Sequence, residues 1–104
     1  MNGIDSMDRA PEVLVTGASR GIGRAIALRA AKDGFDVVVH YRSRAGEAQE
    51  VVEQVHRLGR RARVLGFDIA DREAAAAALV ADVEAHGAYY GVVCNAGIAM
   101  DAAF

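Results

Sequence analysis

The residues with the clearest chemical capacity are Gly17, Gly21 and Gly23, in the run Thr16-Gly17-Ala18-Ser19-Arg20-Gly21-Ile22-Gly23. A short apolar segment, Val13-Leu14-Val15, precedes them, and helix-forming sequence, Arg24-Ala25-Ile26-Ala27-Leu28, follows. Strand, glycine turn and helix in that order aim free backbone N–H groups at an anion, so the chemistry expected here is phosphate binding. Gly17 permits a tight turn off the strand. Gly21 lets the backbone approach a pyrophosphate with no side chain in the way, and Gly23 allows the helix to pack closely on the strand. The spacing is G-x-x-x-G-x-G, not the G-x-G-x-x-G of the general dinucleotide fingerprint, and three glycines alone also describe many plain loops. The strand and helix patterns on either side set this turn apart.

The elements that must hold this turn alternate along the chain. The first strand is expected over residues 12–16 and the first helix over 21–32, ended at Gly34. A second strand, with Val37-Val38-Val39 at its centre, spans 36–41. The helix expected over 45–58 places Ala48, Val51, Val52 and Val55 on one face, with Gly59 as its C-cap. A third strand covers 61–67. Asp71 then caps a helix reaching about His86, with Ala76, Leu79, Val80 and Val83 expected to point inward. A fourth strand spans 89–94, and residues 98–104 read as a loop. Near-continuous apolar strands separated by helices imply an α/β fold with a parallel sheet covered on both faces. Right-handed crossovers then favour a Rossmann-type, doubly wound sheet, here incomplete, with strand order 3-2-1-4. Ligand is expected at the C-terminal ends of the strands, where Gly17, His40–Ser43, Asp68 and Asn95 converge.

Composition narrows the class. At 104 residues and 53% apolar content the chain has material for one domain, and its net charge of −2 offers no footprint for nucleic acid. A single cysteine, Cys94, excludes an internal disulfide framework, fits a reducing cytoplasmic compartment and reads as a small core filler. Residues 1–10 lack the apolar region of a signal peptide and read as a disordered leader, with residues 11–104 forming the domain; no membrane span is apparent. His40, His56 and His86 lack the spacing of metal ligands. Arg60, Arg61 and Arg63 read as a solvated strand edge, and Tyr89-Tyr90 as packing at a strand start.

The run TGASRGIGRAIA, Thr16 to Ala27, resembles the short-chain dehydrogenase/reductases very closely. Asp68-Ile69 and Asn95-Ala96-Gly97 stand in the order and spacing of two further motifs of that family. Within it, the likeness is nearest to the 3-oxoacyl-(acyl carrier protein) reductases, carried by TGASRGIGRAIA and by NAGIAMDAAF, Asn95 to Phe104. The resemblance covers nearly everything from Glu12 onward, but only the front part of the family's pattern. It implies an NADP-dependent oxidoreductase of fatty acid biosynthesis, an acyl carrier protein thioester as substrate and a homo-oligomeric full-length protein. A reductase of a sugar, steroid or quinone is the alternative substrate class.

The resemblance also assigns cofactor contacts. Gly17, Ser19, Arg20, Gly21, Ile22 and Gly23 would bind the cofactor. An acidic residue after the second strand would accept hydrogen bonds from a ribose 2′-hydroxyl and favour NAD. Here the sequence is His40-Tyr41-Arg42-Ser43-Arg44, with no carboxylate before Glu47. Arg20 and Arg42, with Ser43, match family positions around the 2′-phosphate of NADP; solvated surface charge is the competing reading, the stronger one for Arg44. Asp68 resembles the aspartate that accepts from the adenine amino group, with Ile69 along the ring, though a turn or capping role also suits it. Asn95 resembles the second asparagine of the family's N-N-A-G, with Cys94 in place of the first. It is expected to tie the fourth strand to its neighbours, while Ala96 and Gly97 leave room for the adenosine ribose.

The family's catalytic groups are a tyrosine proton donor, a lysine four residues later and a serine holding the carbonyl oxygen. The only lysine here is Lys32, and the residues four after Tyr41, Tyr89 and Tyr90 are Ala45, Val93 and Cys94. Ser6, Ser19 and Ser43 fall in the leader or the cofactor region. No catalytic residue is therefore assigned, and the chain alone is expected to be inactive. It reads as the N-terminal segment of a longer reductase; a complete, non-catalytic nucleotide-binding module is the rival.

Overall fold

The computed structural model describes residues 10–95. The leader up to residue 9, the Ala96-Gly97 pair and the loop expected over 98–104 lie outside the described residues. Four strands and three helices alternate: β1 (Glu12–Val15), α1 (Gly21–Lys32), β2 (Asp36–Tyr41), α2 (Ala45–Arg57), β3 (Ala62–Gly66), α3 (Arg72–His86) and β4 (Gly91–Val93). The strands form one parallel sheet of order β3-β2-β1-β4. Val13 stands opposite Val37 on one side and Gly91 on the other. The sequence therefore reverses direction beside β1. That switch point is where a doubly wound sheet opens a crevice at its C-terminal edge.

The main core follows from the period-two alternation of the strands meeting the helical stripes. Val13, Val15, Val37 and Val39 pack with Ala27 and Ala31 of α1 and with α2. All four expected α2 positions, Ala48, Val51, Val52 and Val55, are buried. The remaining alternate strand positions, Leu14, Val38 and His40, are also buried.

The third helix departs from expectation. Its buried residue is Asp82, while Ala76, Val80 and Val83 are exposed. A polar cluster docks it instead of an apolar stripe. Asp82 takes hydrogen bonds from Arg63 Nε at 3.1 Å, Arg63 Nη2 at 2.6 Å and the Tyr89 hydroxyl at 2.6 Å. Arg63 also forks onto Glu12, with Nη2 to Oε1 at 3.1 Å and Nη1 to Oε2. Arg60 pairs with the buried Asp36 at 3.0 Å. So Arg60 and Arg63 are not a solvated edge: the strand starts leave buried carboxylates at that end of the sheet, and these guanidiniums neutralise them. Cys94 is exposed rather than a core filler, because it lies just past the end of β4, an edge strand among the described residues.

Candidate active-site crevice

At the C-terminal end of β1 the chain turns through Gly17 with φ 63° and enters α1 through Gly21 with φ 63°. An added Cβ at Gly21 would meet nothing within 4 Å, so the constraint there is backbone conformation and the space above it is open. Gly23 is the opposite case. A Cβ there would fall 2.1 Å from the Gly17 carbonyl oxygen and 2.7 Å from Asn95 Nδ2. The first intrahelical bond runs from Arg24 N–H to the Arg20 carbonyl, leaving the amides of Gly21, Ile22 and Gly23 ahead of it. Arg20 makes no side-chain cap bond, and the first turn holds no acidic residue. An uncapped N-terminus, an arginine beside it and a glycine with free space over it are the donor set that suits a phosphate. Among the described residues this turn fits a dinucleotide pyrophosphate.

Two side chains from other strand ends clamp the turn. Asn95 donates from its amide to Thr16 Oγ1 at 2.8 Å and from Nδ2 to the Gly17 carbonyl at 3.2 Å. His40 accepts from Gly17 N–H at Nδ1, 2.9 Å away, and donates from Nε2 to the Phe67 carbonyl at 2.8 Å. Its own carbonyl accepts from Ala18 N–H at 2.9 Å. The imidazole is 1% exposed and tilts against the Phe67 ring at 4.2 Å. Burial lowers its pKa, and the bond to Phe67 only partly offsets this. The sequence places His40 at the ligand end of β2 but assigns it no contact, because nothing in the residues relates it to Gly17 or Phe67.

The other sequence-assigned residues gather along the same edge. Ser19 is buried in the turn, whereas Arg20 and Ile22 are exposed. Arg42 and Ser43 leave β2 exposed, and Arg42 Nε approaches Asp68 Oδ2 at 3.7 Å. Asp68 also accepts from Ala70 N–H at 2.9 Å, so it shapes its own loop as well as facing Arg42. Ile69 beside it is half-buried. Arg44 instead pairs with Glu47 at 3.5 Å. Among the described residues no group of three or more metal-ligating side chains occurs, and no helix is long and apolar enough to cross a membrane.

The short chain dehydrogenase family model matches residues 11–104. The chain belongs to this family. It is 63% identical over 92 residues to the 3-oxoacyl-[acyl-carrier-protein] reductase FabG of Aggregatibacter actinomycetemcomitans, covering 88% of this chain and 38% of that protein. It is 45% identical over 86 residues to an L-rhamnose 1-dehydrogenase (NAD(P)(+)) of Sphingomonas sp. (strain SKA58), covering 83% of this chain and 34% of that one. Among solved structures, acetoin dehydrogenase YohF from Salmonella typhimurium superposes with a TM-score of 0.77 at 31% identity, over 84% of this chain and 36% of that chain. The chain thus spans little more than a third of the length of these short-chain dehydrogenases.

Proposed function

We infer that residues 11–104 are the N-terminal, cofactor-binding part of an NADPH-dependent short-chain reductase whose substrate is a 3-oxoacyl thioester of acyl carrier protein. The observation that carries the reading is the open, uncapped glycine turn flanked by Arg20, with Arg42 at the exit of β2 and no carboxylate in the segment from His40 to Gly46. The 63% identity to a 3-oxoacyl-[acyl-carrier-protein] reductase supports the substrate class. When bound, the nicotinamide supplies hydride to a carbonyl. This chain's own part is to bind and orient. The amides of Gly21, Ile22 and Gly23 receive the pyrophosphate, with Gly17 and Ser19 shaping the turn. Arg20, Arg42 and Ser43 meet the 2′-phosphate, Asp68 accepts from the adenine amine, and Ile69 lies along the ring. Asn95, Ala96 and Gly97 border the ribose. Proton transfer belongs to residues of the whole protein beyond this stretch, since no Tyr-x-x-x-Lys occurs here. The whole protein works as a cytoplasmic homo-oligomer.

A sugar dehydrogenase is the second reading, favoured by the 45% identity to the rhamnose enzyme. Steady-state kinetics of the whole protein, with a 3-oxoacyl thioester and a sugar lactone as rival substrates, separate the two. For the cofactor, a charge-assisted hydrogen bond contributes about 1.5–3 kcal/mol, so one good contact gives roughly tenfold preference or more. NADPH should therefore bind at least about tenfold tighter than NADH. Arg42→Asp should weaken NADPH far more than NADH. Equal loss of both would make Arg42 a structural residue.

A further inference from the structure

The turn that faces the phosphate is not held by its own backbone alone. Gly17 N–H and the Phe67 carbonyl lie in different loops, and the His40 ring spans them, with contacts of 2.9 Å at Nδ1 and 2.8 Å at Nε2. An amide N–H can only donate and a carbonyl can only accept. The ring must therefore be the neutral tautomer with its proton on Nε2. Phe67 immediately precedes Asp68, so one buried side chain joins the glycine turn to the loop on the adenine side. The carbonyl of Gly17, in the next peptide, is clamped by Asn95 Nδ2 at 3.2 Å. The peptide on either side of Gly17 is thus held: the Thr16–Gly17 peptide by its N–H on His40 Nδ1, and the Gly17–Ala18 peptide by its C=O on Asn95 and its N–H on the His40 carbonyl. Neither can rotate without breaking a bond, and the Gly17 carbonyl is the one that Gly23 packs against.

We propose that His40 is a positioning residue for dinucleotide binding: by accepting the Gly17 N–H at Nδ1 it holds the glycine turn in its anion-receiving shape. A buried histidine that merely fills space would not need this tautomer, nor a bond to the turn. The proposal rests on the dinucleotide reading of the crevice. Its consequences can be tested separately from that reading.

The two ring nitrogens can be imitated one at a time. In His40→Asn, the side-chain oxygen takes the place of Nδ1 and can still accept from Gly17 N–H. In His40→Gln, the amide nitrogen reaches toward Phe67, and no acceptor is left for Gly17. The NADPH dissociation constant, followed by fluorescence titration, should stay within about threefold of wild type for His40→Asn and rise roughly tenfold or more for His40→Gln. Far-UV circular dichroism establishes that both variants fold. Long-range 1H–15N correlation of the wild-type imidazole should show the proton on Nε2, and the Gly17 amide should exchange faster in His40→Gln than in His40→Asn. Equal loss of affinity in both variants, or a proton found on Nδ1, would overturn the proposal. If wild type binds no dinucleotide, the cofactor reading fails and this proposal with it. The tautomer and the Gly17 exchange would then still establish or exclude the structural clamp itself.

Discussion

Gly21 and Gly23 sit two residues apart and answer to different physics, which makes their substitutions separable. Gly23→Ala places a methyl against the backbone oxygen of Gly17, which cannot step aside without unmaking the turn. A loss of about 1–3 kcal/mol is expected, seen as a lower denaturant midpoint with an unchanged slope. Gly21→Ala meets open space and costs only the left-handed backbone, about 1–2 kcal/mol. His40 predicts a pH dependence. Burial lowers its folded-state pKa from the ordinary 6.5, so as the pH falls below 6.5 the unfolded chain takes up a proton that the native chain resists. Stability should therefore fall from about pH 6.5 down to the folded pKa, by at most about 1.4 kcal/mol per pH unit. In His40→Asn that segment of the profile should be flat. Chemical denaturation at successive pH values measures both curves.

Helix α3 shows how an element can be docked by charge where much of its apolar face, Ala76, Val80 and Val83, meets solvent. Burial pushes the Asp82 carboxyl up, but hydrogen bonds from Arg63 and Tyr89 outweigh it and hold the carboxyl below the ordinary range. The Tyr89 hydroxyl is raised, by burial and by its bond to Asp82. Asp82→Ala removes the partner that Arg63 and Tyr89 share and leaves a partly buried guanidinium with only Glu12. The expected destabilisation is about 3 kcal/mol. Asp33→Ala breaks the exposed pair with Arg29 and should cost no more than about 0.5 kcal/mol. Urea melts of the two variants, side by side, distinguish a docking charge from a decorative one. Similar losses in both would mean that α3 is held by something other than Asp82.

Over the whole described fold, the sheet has two edges, β3 and β4, and it is β4 that carries an exposed large apolar residue. Val92 is 51% exposed, and a groove of about 490 Å³ between α1 and β4 is lined by Ile22, Ile26, Phe35 and Val93 among others. No lysine, proline or bulge guards β4. Apolar surface beside an unpaired strand favours association with another chain. The 104-residue chain in isolation should therefore self-associate, with molar mass by light scattering rising with concentration. Val92→Lys, which places a charge on that edge, should shift the distribution toward monomer. A concentration-independent monomer for wild type would show that the edge is protected. Without a Tyr-x-x-x-Lys the isolated chain should also turn over no carbonyl substrate, as an assay free of host reductases would reveal.

The alternation of strands and helices and the glycine turn were legible in the residues because their causes are local, and the 3-2-1-4 order because right-handed crossovers leave few ways to join such elements. Runs such as Val37-Val38-Val39 suit a strand buried on both faces, Ala48, Val51, Val52 and Val55 repeat at helical spacing, and glycine alone enters φ 63° without strain. The same logic fails for much of the α3 stripe: Ala76, Val80 and Val83 have helical spacing yet are exposed, and Leu79 is half-buried, because spacing says nothing about what lies opposite. What lies opposite is Arg63, 19 residues from Asp82 and 51 from Glu12. His40 likewise meets Gly17 across 23 residues and Phe67 across 27. Asn95 closes on Gly17 across 78. Only the folded sheet brings such pairs within hydrogen-bond distance, because a directional polar contact depends on the register of neighbouring strands. A sequence pattern carries apolar periodicity but leaves that register to be decided by the packing of the whole.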